Sequence, residues 1–203
     1  MFFPANSSVD NVFQRKYDLA KRILSDVADC IDCQLILVGG TALALFHLEH
    51  RVSVDLDFVP LHDQDVSEAK QALKGCMSKK GYVTQRARWH NQFIVQSENT
   101  SVKVEVFTAE DKIENVEKLL IGEHYVLVAS LDDLMKMKTR AFLDRGKARD
   151  LFDIVAILLR TKKSLSQATE LVKKRGIPDD TEELLQMSPD ETVLAAFHKV
   201  IEK

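Results

Sequence analysis

No apolar run among the 203 residues approaches the roughly 20 that a membrane-spanning helix requires. The opening Met1-Phe2-Phe3-Pro4-Ala5 has neither a basic n-region nor an apolar h-region, so it does not read as a signal peptide. A strong charge bias is also missing. The formal net charge of −3 means that the whole molecule is no polycation for nucleic acid, and any such role falls to local basic patches. Cysteine is scarce: Cys30, Cys33 and Cys76 make no disulfide framework. Cys30-Ile31-Asp32-Cys33 closes a helical pattern and precedes a strand, the reverse of a thioredoxin-like pair, and no second pair offers a zinc site. The expectation is buried or incidental thiols in a soluble, cytoplasmic protein with no membrane partner.

What is present is a core. Hydrophobic residues make up 45% of the chain, which argues against disorder and allows one large domain or two small ones. Residues 8–29 carry helical periodicity, Gln34–Val38 a β-branched strand ending at Gly39, Thr41–Glu49 a short apolar helix, and Val54–Val59 a strand stopped by Pro60. An amphipathic helix follows at Val66–Lys79. Strands are expected at Tyr82–Ala87, Gln92–Gln96, Val102–Phe107 and Tyr125–Val128. After Ser130 the pattern turns helical: Ser130–Leu143, Lys147–Leu159, Leu165–Arg175 and Glu191–Ile201.

Side chains alternate faces along a strand. In Val54–Phe58 the apolar residues share one face and Asp55 and Asp57 the other; in Val102–Phe107, Lys103, Glu105 and Phe107 lie opposite the valines. If the two strands are neighbours, Asp55, Asp57 and Glu105 converge on one face. Such oxygen ligands suit Mg²⁺ together with substrate phosphates, and two ions there could hold the attacking and leaving oxygens of an in-line displacement. The bland alternative is a solvated sheet face. Gly39-Gly40, just upstream, allows positive φ and close backbone approach. The helix start at Thr41 then offers N–H groups to phosphate, or is an ordinary strand-to-helix turn.

On a helix from Leu131, a rotation of 100° per residue puts Leu134, Met135, Ala141 and Phe142 on one stripe, with Lys138 near its centre. A lysine there either snorkels or serves a site. Residues 136–149 hold six bases against the single acid Asp144, and could meet a polyphosphate, an RNA backbone or water. Asp150 and Asp153 begin the next, almost wholly apolar helix, where the dipole favours acids.

These residues in this order resemble the AbiEii-type nucleotidyltransferases, typified by toxins of abortive-infection and toxin–antitoxin systems, with the MenT enzymes as relatives. The resemblance lies in Val38-Gly-Gly-Thr-Ala-Leu43, Arg51-x-Ser53-x-Asp55-x-Asp57, Leu134-x-x-x-Lys138 and Arg145-Gly-Lys-Ala-Arg149-Asp150-Leu-Phe-Asp153-Ile, over roughly residues 35–160. It implies an α+β, polymerase-β-like nucleotidyltransferase core, a mixed sheet with flanking helices, followed by a helical C-terminal part. It also implies Asp55 and Asp57 as metal ligands, Lys138 as a nucleotide-contacting lysine and Asp150 as a further catalytic or orienting acid. The third strand carboxylate, usually Asp in this fold, is here Glu105.

The expectation is therefore a nucleotidyltransferase core over 1–129 and a helical part over 130–203 that completes the cleft. It would transfer NMP from an NTP and release pyrophosphate, with Mg²⁺ or Mn²⁺ on Asp55, Asp57 and Glu105. Gly39, Gly40, Thr41, Ser53 and Lys138 would bind nucleotide, and Arg145, Lys147 and Arg149 an RNA acceptor, tRNA among relatives. A cognate antitoxin is the implied protein partner. The alternatives are a small-molecule nucleotidyltransferase and a degenerate module that binds nucleotide or a partner without catalysis.

Overall fold

Short runs rich in Val, Ile and Leu, punctuated by turn residues, build a seven-stranded mixed sheet. The computed structural model describes residues 8–30, 35–61, 65–185 and 190–202. The strands are β1 (Leu35–Val38), β2 (Leu56–Pro60), β3 (Val83–Arg86), β4 (Gln92–Ser97), β5 (Thr100–Val106), β6 (Val116–Ile121) and β7 (His124–Ala129). Their order is β3-β4-β5-β2-β1-β7-β6. β2 runs parallel to β5 and β1 parallel to β7, while the remaining neighbours are antiparallel. The α+β class expected from the sequence is the class observed.

The helices are α1 (Ser8–Cys30), α2 (Gly39–Ala42), α3 (Val66–Lys79), α4 (Leu131–Arg145), α5 (Ala148–Arg160), α6 (Ser166–Arg175), α7 (Thr181–Leu185) and α8 (Glu191–Ile201), with a π-helical turn at Leu43–His47. The chain divides into two compact units. One holds the residues up to Ala42 and Ser53–Ser130; the other holds Leu43–Val52 and the residues from Leu131 onward.

In the first unit, α1 and α3 pack on the sheet and on each other. They do so because one face of the central strands is apolar: Leu56, Phe58, Val102, Val104 and Val106 are all buried. Truncating a fully buried ring such as Phe58 costs about 3–5 kcal/mol. α3 starts where Asp65 accepts from the backbone N–H groups of Ser67 and Glu68, at 2.7 and 3.0 Å. A disulfide joins Cys30, the last residue of α1, to Cys76 of α3, with Cα atoms 5.8 Å apart. This corrects the expectation of unpaired thiols. The partners stand 46 residues apart, and only the packing of α1 on α3 brings them together. Cys33, the other half of the C-x-x-C, lies outside the described residues.

The second unit is helical around α5, whose residues Ala148 to Leu158 are buried, apart from Arg149. Its apolar sequence on every side reflects that central position. Phe152 stacks on His50, with centroids 5.8 Å apart and an interplanar angle of 14°, and meets Phe197 edge-on at 5.6 Å. No helix among the described residues is long and apolar enough to cross a membrane.

Candidate functional site

The parallel pairing of β2 with β5 sets Asp57 directly beside Glu105. Neighbouring positions in register point to the same face, so the two carboxylates flank one another opposite the apolar face. Two residues earlier stand Lys103 in β5 and Asp55, which lies just before β2 because the strand starts at Leu56 and not at the expected Val54; the Lys103 ammonium lies 2.9 Å from Asp55 Oδ2. Burial pulls the Lys103 amine down, but its bond to Asp55 and the charges of Asp55, Asp57 and Glu105 hold it above its ordinary value overall. That one ammonium therefore feels all three carboxylates.

Glu105 is fixed from its other flank. Asn91 Nδ2 donates to Oε1 and Gln92 Nε2 to Oε2, each at 2.8 Å. Gln92 can do so because β4 pairs it with Glu105 across the antiparallel ladder. Each carboxylate oxygen keeps a further acceptor position.

Gly39 follows Val38, the β1 residue paired with Asp57. Its φ is +74°, and a Cβ built there would lie 2.5 Å from Asp57 Oδ2. Only glycine both adopts this φ without strain and leaves space for the carboxylate. Thr41 is fully buried. Its hydroxyl donates to the Asp55 carbonyl and lies 3.0 Å from the Ser53 hydroxyl. Thr41 thus ties the turn after β1 to the segment entering β2, and its hydroxyl is committed to that internal bond.

The second unit holds a buried charge cluster of its own. Lys138, only 6% exposed, lies 3.2 Å from Asp150 Oδ1 and 2.7 Å from Asp153 Oδ2. Arg51 grips Asp153 with two bonds, Nε to Oδ1 at 2.6 Å and Nη2 to Oδ2 at 2.8 Å. His50 Nε2 lies 2.7 Å from Asp153 Oδ1. Arg145 forms the matching fork on Asp150, at 2.7 and 2.8 Å. Burial alone would raise both aspartates. The charges of Arg51 and Lys138 instead hold Asp153 well below the ordinary carboxylate value, and Arg145 with Lys138 lowers Asp150. Arg51, Lys138 and Arg145 thus meet Asp150 and Asp153 in one buried network.

The expected site residues thus fall into two groups. Gly39, Gly40, Thr41, Ser53, Asp55, Asp57 and Glu105 belong to the first unit, and Lys138, Asp150, Arg145, Lys147 and Arg149 to the second. Lys147 lies 3.7 Å from Asp180, and Arg149 is exposed. The sequence reading gave no role to Lys103, Asn91, Gln92, His50 or Arg51, nor a site role to Asp153. Lys103 had a signal, since it alternates onto the Glu105 face. Arg51 and Asp153 stand in the motifs that carry the resemblance, but nothing local pairs two residues 102 apart.

The donor chemistry fits a hard divalent cation. Asp55, Asp57 and Glu105 supply carboxylate oxygens, Gly39 clears the space around Asp57, and an ammonium already stands against Asp55. Among the described residues, no three His, Cys, Asp or Glu side chains are closed into a ready ligand group. Asp55 faces Lys103, and Glu105 faces its two amides.

A mixed sheet of this order thus carries acids on two parallel neighbouring strands, next to the Gly39-Gly40 pair. The chain belongs to the AbiEii toxin family: it matches the family described as "Nucleotidyl transferase AbiEii toxin, Type IV TA system" over residues 22–200. It is similar in structure to JHP933 from Helicobacter pylori, at 22% identity over 98% of this chain and 94% of that one, with a TM-score of 0.56. A putative nucleotidyltransferase from H. pylori shares 21% identity over 97% and 96% of the two chains, with a TM-score of 0.57. The solution structure of the antibiotic-resistance factor ANT(2'')-Ia aligns at 12% identity over 92% and 98%, with a TM-score of 0.51. At these identities the likeness is one of fold. No curated protein matches the chain in sequence. Nucleotidyl transfer implies an NTP as substrate, and a type IV system implies a cognate antitoxin.

Proposed function

We propose that the protein transfers NMP from an NTP to a hydroxyl of an RNA acceptor, tRNA being the first candidate, in a divalent-metal-dependent reaction. The observation that carries this reading is the Asp57–Glu105 pair beside Gly39, with Asp55 two residues before Asp57 and in contact with Lys103 of β5.

Asp55 and Asp57 would hold the metal, with Glu105 as third ligand or as base. Mg²⁺ or Mn²⁺ bound there would supply positive charge to the α-phosphate and to the departing pyrophosphate. The acceptor oxygen forms its bond to the α-phosphorus as the α–β phosphoanhydride bond breaks, and pyrophosphate leaves with that electron pair. Glu105, steadied by Asn91 and Gln92, accepts the hydroxyl proton. The Gly39-Gly40 backbone and the Ser53 hydroxyl would receive phosphate oxygens, while Thr41 keeps Ser53 and Asp55 in position.

Lys138 remains the nucleotide-directed lysine of this proposal, and its ammonium would offset phosphate charge during transfer. Asp150 orients it together with Arg145. Arg145, Lys147 and Arg149 would meet the acceptor backbone. The RNA acceptor is supported by the basic stretch 136–149.

The test is incubation with each labelled NTP, Mg²⁺ and total RNA. Label should enter RNA with the wild type and not with Asp57→Asn. Label appearing only on a small hydroxylated compound would replace the RNA acceptor by a small molecule. The absence of any transfer would leave a binding module.

A further inference from the structure

Lys103 is a lysine on a face otherwise built for a cation. It comes from the same strand as Glu105, two residues away, and its ammonium contacts Asp55 Oδ2 at 2.9 Å. It is neither buried nor loosely exposed: the side chain is 33% accessible and that of Asp55 38%. Neighbouring carboxylates repel one another, and Lys103 brings an ammonium into contact with one of them, Asp55, while feeling the charge of Asp57 and Glu105. A divalent ion on Asp55 would use the same oxygen.

We infer that Lys103 is a tethered counter-ion that competes with the divalent metal for Asp55, so that free metal binds weakly and metal accompanied by a triphosphate binds well. The inference rests on the proposed metal-dependent reading of this site. In the metal-free protein the ammonium holds the carboxylate face together. When metal arrives alone, displacing Lys103 strands a cation beside a second cation. When metal arrives with a triphosphate, the released ammonium has phosphate oxygens to contact, so the displacement is compensated. Lys103 is in this sense a positioning residue that sets the order of binding. Its four-carbon stem gives it the reach to change partners.

The experiment measures Mn²⁺ binding to the 203-residue chain by electron paramagnetic resonance, without acceptor and without turnover. In the wild type, Mn²⁺ alone should bind weakly, and a non-hydrolysable NTP analogue should tighten it; by linkage, Mn²⁺ should tighten the analogue by the same factor. Lys103→Met should bind Mn²⁺ alone about fivefold or more tightly than the wild type, as expected for removing a competing ion pair worth on the order of 1 kcal/mol. The same variant should lose most of the coupling between metal and nucleotide. Lys103→Arg, which keeps the charge, should resemble the wild type, and Lys103→Gln should reproduce Lys103→Met if the methionine variant folds poorly.

Tightening is the diagnostic direction, since mere structural damage loosens metal. Equal or weaker Mn²⁺ binding in both neutral variants, or no coupling in the wild type, overturns the inference. The proposed function fails differently. It falls if Asp55→Asn/Asp57→Asn still transfers NMP or if transfer proceeds in EDTA, whatever the Lys103 variants do.

Discussion

The Asp57 carboxylate fills the space that a side chain at Gly39 would need, its Oδ2 lying 2.5 Å from the site of an added Cβ. The turn after β1 and the acid of β2 are therefore one unit of construction. Gly39→Ala should cost about 1–2 kcal/mol in backbone strain alone, and it must also push Asp57 off the Glu105 side. The expected outcome is a lowered melting temperature and a loss of nucleotidyl transfer larger than the stability change explains. A variant with the wild-type melting temperature and full transfer would contradict the coupling.

Removing a buried ion leaves its partners stranded. Asp153→Ala would leave His50, Arg51 and Lys138 facing each other without their shared carboxylate. The expected loss is about 3–5 kcal/mol, read from urea unfolding. A loss below about 1 kcal/mol, the scale of a surface pair, would mean that water reaches this cluster.

The same aspartates fix an acid limit. Asp150 and Asp153 are held below the ordinary carboxylate value of 3.8. A depressed carboxylate stabilises the fold fully above its unfolded pKa, and that contribution disappears as pH falls through the folded value. Urea midpoints should therefore change little from this source between neutral pH and about 5, then drop as pH goes lower. Asp153→Asn should flatten the acid limb. An unchanged slope in that variant would move the acid sensitivity to other carboxylates.

Metal and nucleotide should stabilise together. An NTP with Mg²⁺ should raise the melting temperature of the wild type, because a ligand that binds only the folded state stabilises it. In Asp55→Asn/Asp57→Asn most of that rise should vanish. Equal stabilisation by NTP in EDTA would remove the metal from the scheme.

Arg145 is a poor place to probe RNA contact, since its guanidinium forks onto the buried Asp150. Charge reversal at Lys147 and Arg149 avoids that cost. It should weaken RNA binding, reduce the salt slope by about 2, and leave NTP binding nearly unchanged. RNA affinity that ignores both reversals would assign the basic stretch to solvent.

Local pattern was enough for most elements of the fold. α3 and α8 occupy the residues expected from periodicity, Val66–Lys79 and Glu191–Ile201. β6 escaped because Val116–Ile121 mixes Glu117 and Lys118 with aliphatics at a sheet edge, where no alternation is enforced. The turn at Leu43–His47 looks like ordinary helix in sequence because its apolar run carries no mark of a wider winding. In the candidate site, the placement of Asp57 beside Glu105 follows from strand alternation plus one assumption about neighbours. The grip of Arg51 and His50 on Asp153 could not be read, because nothing local in a sequence announces a partner 102 residues away. Lys138 stands out in the sequence as a lysine on an apolar stripe, while the two aspartates that receive it stand on the following helix.

The Cys30–Cys76 bond turns the intervening stretch into a closed covalent ring. That ring carries Gly39, Thr41, Ser53, Asp55 and Asp57, and also residues 43–52, which are part of the other unit. A chain nicked once by a protease between 31 and 75 would keep both pieces attached. It would run as one species on a denaturing gel without reductant and as two with it. In an oxidising setting a single cut in the segment bearing the acids would therefore not release the N-terminal helix, whereas in a reducing one it would.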